Sequence, residues 1–349
     1  MSTTRALLAS FPFALVLAIG AQGAGAEDER ATAEPVAATA PPRDFSFGGP
    51  IELQDVFLPT QVRPQSYPER AEVLPPGGFS IRATVDWTNH LAQTENYLFD
   101  GESVSTVLRL RYGPWERIEV GIDVPWTNRF DGTLDPFIED VETALGQQVP
   151  ARFALPRSNW TGIAVRDDGS RTLRIREDSG LGDISLRGKY ALVRKQDLGF
   201  DAALVASLGL PTGASTLGGE GVTPGLGLHA QLPFETVNLF GGATLQYHSD
   251  ATEQDFKLAP WRWMTYAGAE WRPWRSWLGL IAEYQIYGPL ARVDSPLTEP
   301  SHYYAGGFRF YLPWRTTLEA TVVENVGAIE NRNSSDVSFH FGATWRFGN

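Results

Sequence analysis

Ser338-Phe339-His340 sets a serine and a histidine two residues apart, which on an extended strand places both on one face. That is the start of a nucleophile and base pair for acyl transfer. The pair lacks an asparagine assignable as the third, orienting group, and His248-Ser249 is a weaker copy at the edge of a segment. There is no His-x-x-x-His spacing, and Asp131, Asp135, Glu139, Asp140 and Glu142 do not follow a calcium-loop pattern. They read as a solvated acidic loop, and neither a metal nor a cofactor is expected. Gly218-Gly219-Glu220-Gly221 lies between two strand-like runs and precedes no helix, so it is a flexible loop and not a phosphate cradle. The chain has no cysteine, which excludes disulfides, thiolate metal sites, cysteine nucleophiles and a lipid attached through cysteine.

The remaining chemistry belongs to charged residues at alternate positions of apolar runs. Arg82, Asp86, Arg109, Arg111, Glu119 and Asp123 lie on the early runs; Arg187, Lys189, Glu270, Glu283, Arg309, Glu319 and Arg346 lie on the later ones. Alternation puts each of them opposite the apolar face of its own strand. Charges of both signs facing one enclosed space either pair with each other and fill it, or line a constriction that filters solutes. The turn after Tyr112 is short enough to set Arg109 or Arg111 opposite or diagonal to Glu119.

The elements that carry these residues follow from export and period. Residues 1–26 contain one charge, Arg5, then an apolar run from Ala6 to Ile19 and the small residues Ala21-Gln22-Gly23-Ala24-Gly25-Ala26. This is the order of a secretory signal peptide cleaved after Ala26, with an apolar run too short to span a membrane. No later stretch approaches 18 apolar residues, so a closed barrel is the one way for the exported chain to be integral. The mean hydropathy of −0.20 suits strands that are apolar on one face only. The formal net charge of −12 gives no reason to expect nucleic acid as a partner.

Residues 27–76 are rich in Ala, Pro and charge and read as a periplasmic linker, or as a plug segment on account of Ile51, Leu53, Val56, Phe57 and Leu58. From Gly77 to Phe347 twelve alternating runs of about ten residues predict an all-β, antiparallel, up-and-down transmembrane barrel. Joins at 113–116, 194–198, 233–236, 273–276 and 313–315 are short; those at 90–102, 127–179, 211–222, 249–260, 288–301 and 326–335 are long. Short periplasmic turns and long outer loops have this order, and a soluble sandwich does not sort its loops by length. Pro114-Trp115, Pro273-Trp274, Pro313-Trp314 and the weaker Pro233-Phe234 repeat a turn that places aromatics at one rim, as in an interfacial girdle.

Within 127–179, Asp135-Pro136 marks a helix start, and Phe137, Val141 and Leu145 predict a helix lying over the barrel mouth. Ile163 and Val165 face Leu173 and Ile175 across Asp167-Asp168-Gly169-Ser170, a hairpin that extends the wall beyond the membrane. As two further membrane strands they would make fourteen, but each is too short to cross the hydrocarbon. At the end of the chain His340, Gly342, Trp345 and Phe347 have the spacing of the C-terminal assembly signal of bacterial outer-membrane barrels, read by the barrel-assembly machinery. The Ser338 and His340 face is the polar one, whereas lipid hydrolysis needs its nucleophile toward the bilayer, so no enzyme is expected.

Ala71-Glu72-Val73-Leu74-Pro75-Pro76-Gly77, Arg111-Tyr112-Gly113, Arg117-Ile118-Glu119-Val120-Gly121, Gly180-Leu181-Gly182-Asp183-Ile184-Ser185-Leu186 and Leu210-Pro211-Thr212-Gly213 resemble phrases of one family of bacterial outer-membrane barrels, the domain-of-unknown-function 3187 group. The resemblance covers residues 50 to 347 and implies fold and location; it supplies no activity and no site residues. The expected function is a passive pore or small-solute channel with a mixed-charge lumen, in the outer membrane of a Gram-negative bacterium. The alternative is a closed structural barrel whose outer loops bind a partner or a surface glycan. Membrane lipid and lipopolysaccharide are the expected surroundings in either case, and nothing in the chain decides an oligomeric state.

Overall fold

Every strand that crosses the barrel wall pairs antiparallel with its sequence neighbours, and the last pairs with the first. The computed structural model describes residues 47–348 apart from 147–151, 153–154, 156–159, 166–170, 215, 250–251, 254–255, 274–276, 293–295 and 326–333. The expected signal peptide, residues 27–46, Trp274 and the Asp167–Ser170 turn therefore lie outside the described residues. Twelve strands form the barrel: β1 Phe79–Gln93, β2 Tyr97–Trp115, β3 Ile118–Phe130, β4 Ser185–Val193, β5 Asp201–Gly209 and β6 Thr223–Pro233, then β7 Val237–Tyr247, β8 Trp261–Trp271, β9 Leu278–Tyr287, β10 Ser301–Leu312, β11 Thr316–Asn325 and β12 Val337–Phe347. Closure runs from Phe79↔Phe347 to Asn89↔Val337.

The exposure pattern states what surrounds the barrel. On β4, Leu186 and Tyr190 are 43% and 47% exposed, while the neighbouring Arg187 and Lys189 are 9% and 8% exposed. Leucine outward and arginine inward is unfavourable in water and favourable in a bilayer. The same inversion recurs right round the wall, with Leu108, Val120, Leu204, Leu226, Leu239 and Val322 outward. Exposed Trp115, Phe234, Trp277 and Trp314 mark the short-turn rim and Trp126, Trp261 and Tyr304 the other, the two girdles of a transmembrane barrel. No helix among the described residues is long and apolar enough to cross a membrane.

The long outer joins contain one exception. Residues 90–102 form no loop: β1 and β2 run on to Gln93 and Tyr97 and close through Thr94, whose hydroxyl accepts the N–H of Asn96 at 3.1 Å. The wall is thus taller on this side. The short strands Thr161–Val165 and Arg171–Arg174 extend it further, the first pairing with Tyr97–Asp100 of β2. They belong to the sheet but not to the closed ring, which has twelve strands.

Helix α1 spans Asp135–Leu145 as expected, with two differences. Its cap residue is Leu134, without a side-chain bond, because the Asp135 carboxylate is held by Arg152 at 3.0 Å instead. Its buried side carries Ile138, 7% exposed, whereas Phe137 and Val141 are 55% and 41% exposed. Arg152 also binds Glu142 at 3.1 Å and pairs with Asp336. The ion pairs, and not the apolar stripe, choose which side of α1 faces the barrel.

Candidate functional site

Residues 47–74 run inside the ring of strands as a re-entrant loop with both ends at the short-turn rim. Gly48 donates its N–H to Glu270 Oε2 and Tyr311 Oη at 3.0 and 2.8 Å, near the periplasmic ends of β8 and β10. The Ile51 N–H reaches Glu283 at 2.8 Å, and Tyr287 Oη donates to the Leu53 carbonyl at 3.2 Å. A single 3-10 turn at Leu58–Thr60 reverses the chain at the outer mouth. Descending, Ser66 N–H meets Gln246 at 2.7 Å, and Leu74 N–H meets Glu119 at 3.0 Å, beside the rim where β1 begins. Partners on strands from β1 to β10 surround the segment, which its side-chain contacts hold without a β ladder.

Tyr67 and Glu69 face the wall made by β2, β3 and β4. The Tyr67 ring lies between two guanidiniums, with its centroid 4.4 Å from Arg109 Cζ and 3.9 Å from Arg187 Cζ. Its hydroxyl donates to Asp123 Oδ2 at 2.7 Å and accepts from Arg111 Nη2 at 2.6 Å. Glu69 Oε1 pairs with Arg187 Nη1 at 2.6 Å and Oε2 with Lys189 Nζ at 3.4 Å. Glu52, on the ascending arm, pairs with Arg82 at 3.3 Å and with Arg109 at 3.8 Å. Charged pairs of this kind, taken out of water, are held only while every partner stays in place.

The opposite wall combines an aromatic and apolar patch with a charged pair at Arg262 and a charged node at Arg309. Ile51, Leu53 and Val56 pack among Phe240, Met264, Tyr266, Ile281, Tyr287 and Tyr303. Asp55 accepts from Tyr303 Oη at 3.0 Å and pairs with Arg262, which also holds Gln65 at 2.6 Å. At the node, Arg309 joins Glu270 at 2.7 Å, Glu319 at 2.7 Å and the Gly49 carbonyl at 2.7 Å. A Cβ on Gly48 would collide with Arg309 Nη1, so glycine is what lets the segment pass this side chain. Glu319 further binds Arg82 at 2.8 Å and accepts from His340 Nε2 at 2.9 Å, while His340 Nδ1 bonds to Asp86.

At the outer mouth Phe57 and Leu58 enter a core with Tyr97, Phe99, Leu258, Leu290 and Leu297. Asp183, ahead of β4, accepts the N–H groups of Thr212, Gly213 and Gly219 at 3.0, 2.8 and 2.8 Å and ties the 210–219 loop down beside them. Burial pushes its carboxyl above the usual range, against those three donors. The cavity left between segment and wall, lined by Gln54, Gln61, Asp86, Ser105, Thr127 and Ser185, gives water about 40 Å³.

Arg111 stands opposite Gly121, so Glu119 and Asp123 are both its diagonal neighbours, as the short turn implied; it pairs with Asp123 at 2.6 Å, while Glu119 lies directly opposite Lys189 and pairs with it at 2.9 Å. Ser338 and His340 share a face but do not join: the Ser338 hydroxyl bonds to Thr88 at 2.7 Å and both His340 nitrogens meet carboxylates. Arg346 stands in register with Ser80 near the periplasmic rim. Trp345 is paired with Ile81 and Phe347 with Phe79, and a Cβ on Gly342 would meet Arg82 Nη2 at 3.3 Å. Sequence reasoning missed Glu52, Asp55, Tyr67, Glu69 and Arg262; Arg262 shares its strand face with Glu270 and could have been found by alternation along Trp261–Trp271, but nothing local marked the other four.

A family model described as a protein of unknown function, DUF3187, matches residues 49–347. The chain belongs to the DUF3187 family. The match spans the luminal segment as well as the strands, so the region that defines DUF3187 proteins includes both. No curated protein matches this DUF3187 chain. Among solved structures it is similar to an outer membrane channel from Pseudomonas putida F1, with 12% identity, a TM-score of 0.55, and coverage of 81% of this chain and 100% of that one. It is also similar to the NanC porin, with 8% identity, a TM-score of 0.45, and coverage of 76% and 98%. The first likeness shows the barrel fold; the second is too loose to carry an argument.

Proposed function

We propose that the protein is an outer-membrane channel for small solutes, closed at rest by its own residues 47–74, which open it by withdrawing toward the periplasm. The observation that carries this reading is the way the segment is held. Its backbone adds no strand to the sheet, both of its ends lie at the periplasmic rim, and its charges pair with wall residues that a permanent filler would not need. It can leave without breaking a single barrel ladder. Ile51, Leu53, Val56, Phe57 and Leu58 are all buried, and each contributes about 1.5–3 kcal/mol, so the closed state is the ground state.

A second reading, a permanently closed barrel working through its outer loops, draws support from the apolar core that Phe57 and Leu58 make with those loops. Planar-bilayer recording separates the two. Phe57→Ser with Leu58→Ser, in full-length protein that keeps its heat-modifiable gel shift, produces frequent openings where the unmodified chain gives rare ones. Silence of that folded variant contradicts the channel and favours the second reading. In either reading the outward apolar band meets lipid and lipopolysaccharide acyl chains, and β12 is the strand offered to the assembly machinery.

A further inference from the structure

We propose that Arg109, Arg111, Arg187 and Lys189 form a binding site for a small planar carboxylate, and that Tyr67 and Glu69 occupy it as an internal ligand. The inference rests on the channel reading, because a solute reaches the site only after the segment leaves.

The site has three parts. Arg187 and Lys189 hold one carboxylate between them, at 2.6 and 3.4 Å from the two Glu69 oxygens. Arg109 and Arg187 lie over the ring of Tyr67, a slot that suits a flat π-face. Arg111 and Asp123 form the floor, where a hydroxyl both receives and donates a hydrogen bond. Pro68 between the two internal groups restricts Tyr67 to an extended backbone, which presents residues 67 and 69 on the same side. Ring, hydroxyl and carboxylate are thereby displayed together, as on a hydroxylated aromatic acid.

The charge balance requires an anion once the segment is gone. The site sets its four cations against Glu119 and Asp123. With Glu69 absent, Arg187 keeps only Asp123 at 2.7 Å and Lys189 only Glu119 at 2.9 Å among the acids they now bind. Guanidinium and ammonium groups buried this deeply either rehydrate or take a replacement carboxylate, and the guanidinium fork favours the latter. On the far wall, Glu270 and Glu283 receive only backbone N–H groups from the segment, and the one cation that loses an acid there is Arg262, partner of Asp55. The larger share of the selection for an anion therefore comes from β2–β4, where Glu52 and Glu69 both leave.

Benzoate is the probe. In full-length Tyr67→Ala with Glu69→Ala, placed in the Phe57→Ser, Leu58→Ser protein so that the segment can withdraw while the wall stays intact, calorimetry detects saturable benzoate binding that is absent from the unmodified chain. Acetate binds about ten-fold more weakly, through loss of the cation–π contacts with Arg109 and Arg187. Adding Arg187→Gln and Lys189→Gln abolishes the benzoate heat. Every variant is first checked for its heat-modifiable shift. No benzoate binding by the folded vacated variant, or binding that survives loss of Arg187 and Lys189, overturns the site. A second measurement needs no change near it: in the Phe57→Ser, Leu58→Ser channel the reversal potential in a potassium chloride gradient favours chloride, and benzoate blocks the current. Currents that prefer potassium overturn the anion site while leaving the channel standing; a silent variant overturns the channel itself.

Discussion

Glu69 and Arg187, 118 residues apart in the chain, meet at 2.6 Å in the middle of the barrel. One belongs to a proline-rich segment that adds no strand to the sheet, the other to the fourth strand of a closed ring. Their contact ties an irregular segment to a rigid wall through side chains alone, and the barrel does not depend on it. Glu69→Gln is therefore expected to loosen the segment by about 3–5 kcal/mol, the cost of leaving buried cations short of a partner. Hydrogen exchange at residues 51–74 accelerates in this variant, while exchange along β3 and β4 is unchanged. Equal acceleration in the strands would mean that the segment is part of the barrel's own stability.

Arg309 has the opposite role. It joins Glu270 of β8 and Glu319 of β11 from its place on β10, and it also holds the Gly49 carbonyl. Arg309→Met leaves two buried carboxylates without their shared cation and lowers barrel stability by about 3–5 kcal/mol. The urea midpoint for loss of the heat-modifiable band falls accordingly.

Asp183 holds the outer loop by three backbone donors. Asp183→Ala strands those N–H groups and frees residues 210–219 at a cost of about 1–3 kcal/mol. Limited proteolysis of intact cells then cuts this loop, and the barrel keeps its gel shift. A loop as resistant as before would show that Leu217, buried beside it, is anchor enough.

The barrel was legible in the sequence because its physics is local. Lipid outside and charge inside impose a two-residue period, so Leu186, Arg187 and Lys189 announce their faces within one strand. Helix α1 was legible in extent from Asp135-Pro136, but not in orientation, since Arg152 and Asp336 decide that from other segments. Lumen pairings were harder still. Arg111 has both Glu119 and Asp123 as diagonal neighbours, and it is Lys189, directly opposite Glu119 on the next strand, that takes the first and leaves Arg111 the second. Residues 47–74 gave the weakest signal. Pro50, Pro59, Pro64 and Pro68 exclude regular structure and so resemble a tether, and only partners far away in sequence, such as Arg187 and Arg262, show where the segment lies.

The central claim, that residues 47–74 close the lumen, is tested most directly by a reversible covalent lock. A Cβ built on Gly209 at the outer end of β5 lies 2.7 Å from Pro64 Cβ. That is within about 1 Å of disulfide spacing, and the chain has no cysteine to interfere. Pro64→Cys with Gly209→Cys, placed in the Phe57→Ser, Leu58→Ser protein, is recorded in a planar bilayer before and after a reductant. The oxidised protein is silent and the reduced protein conducts. Equal conductance in the two states, with the disulfide verified by mass, would contradict closure by this segment.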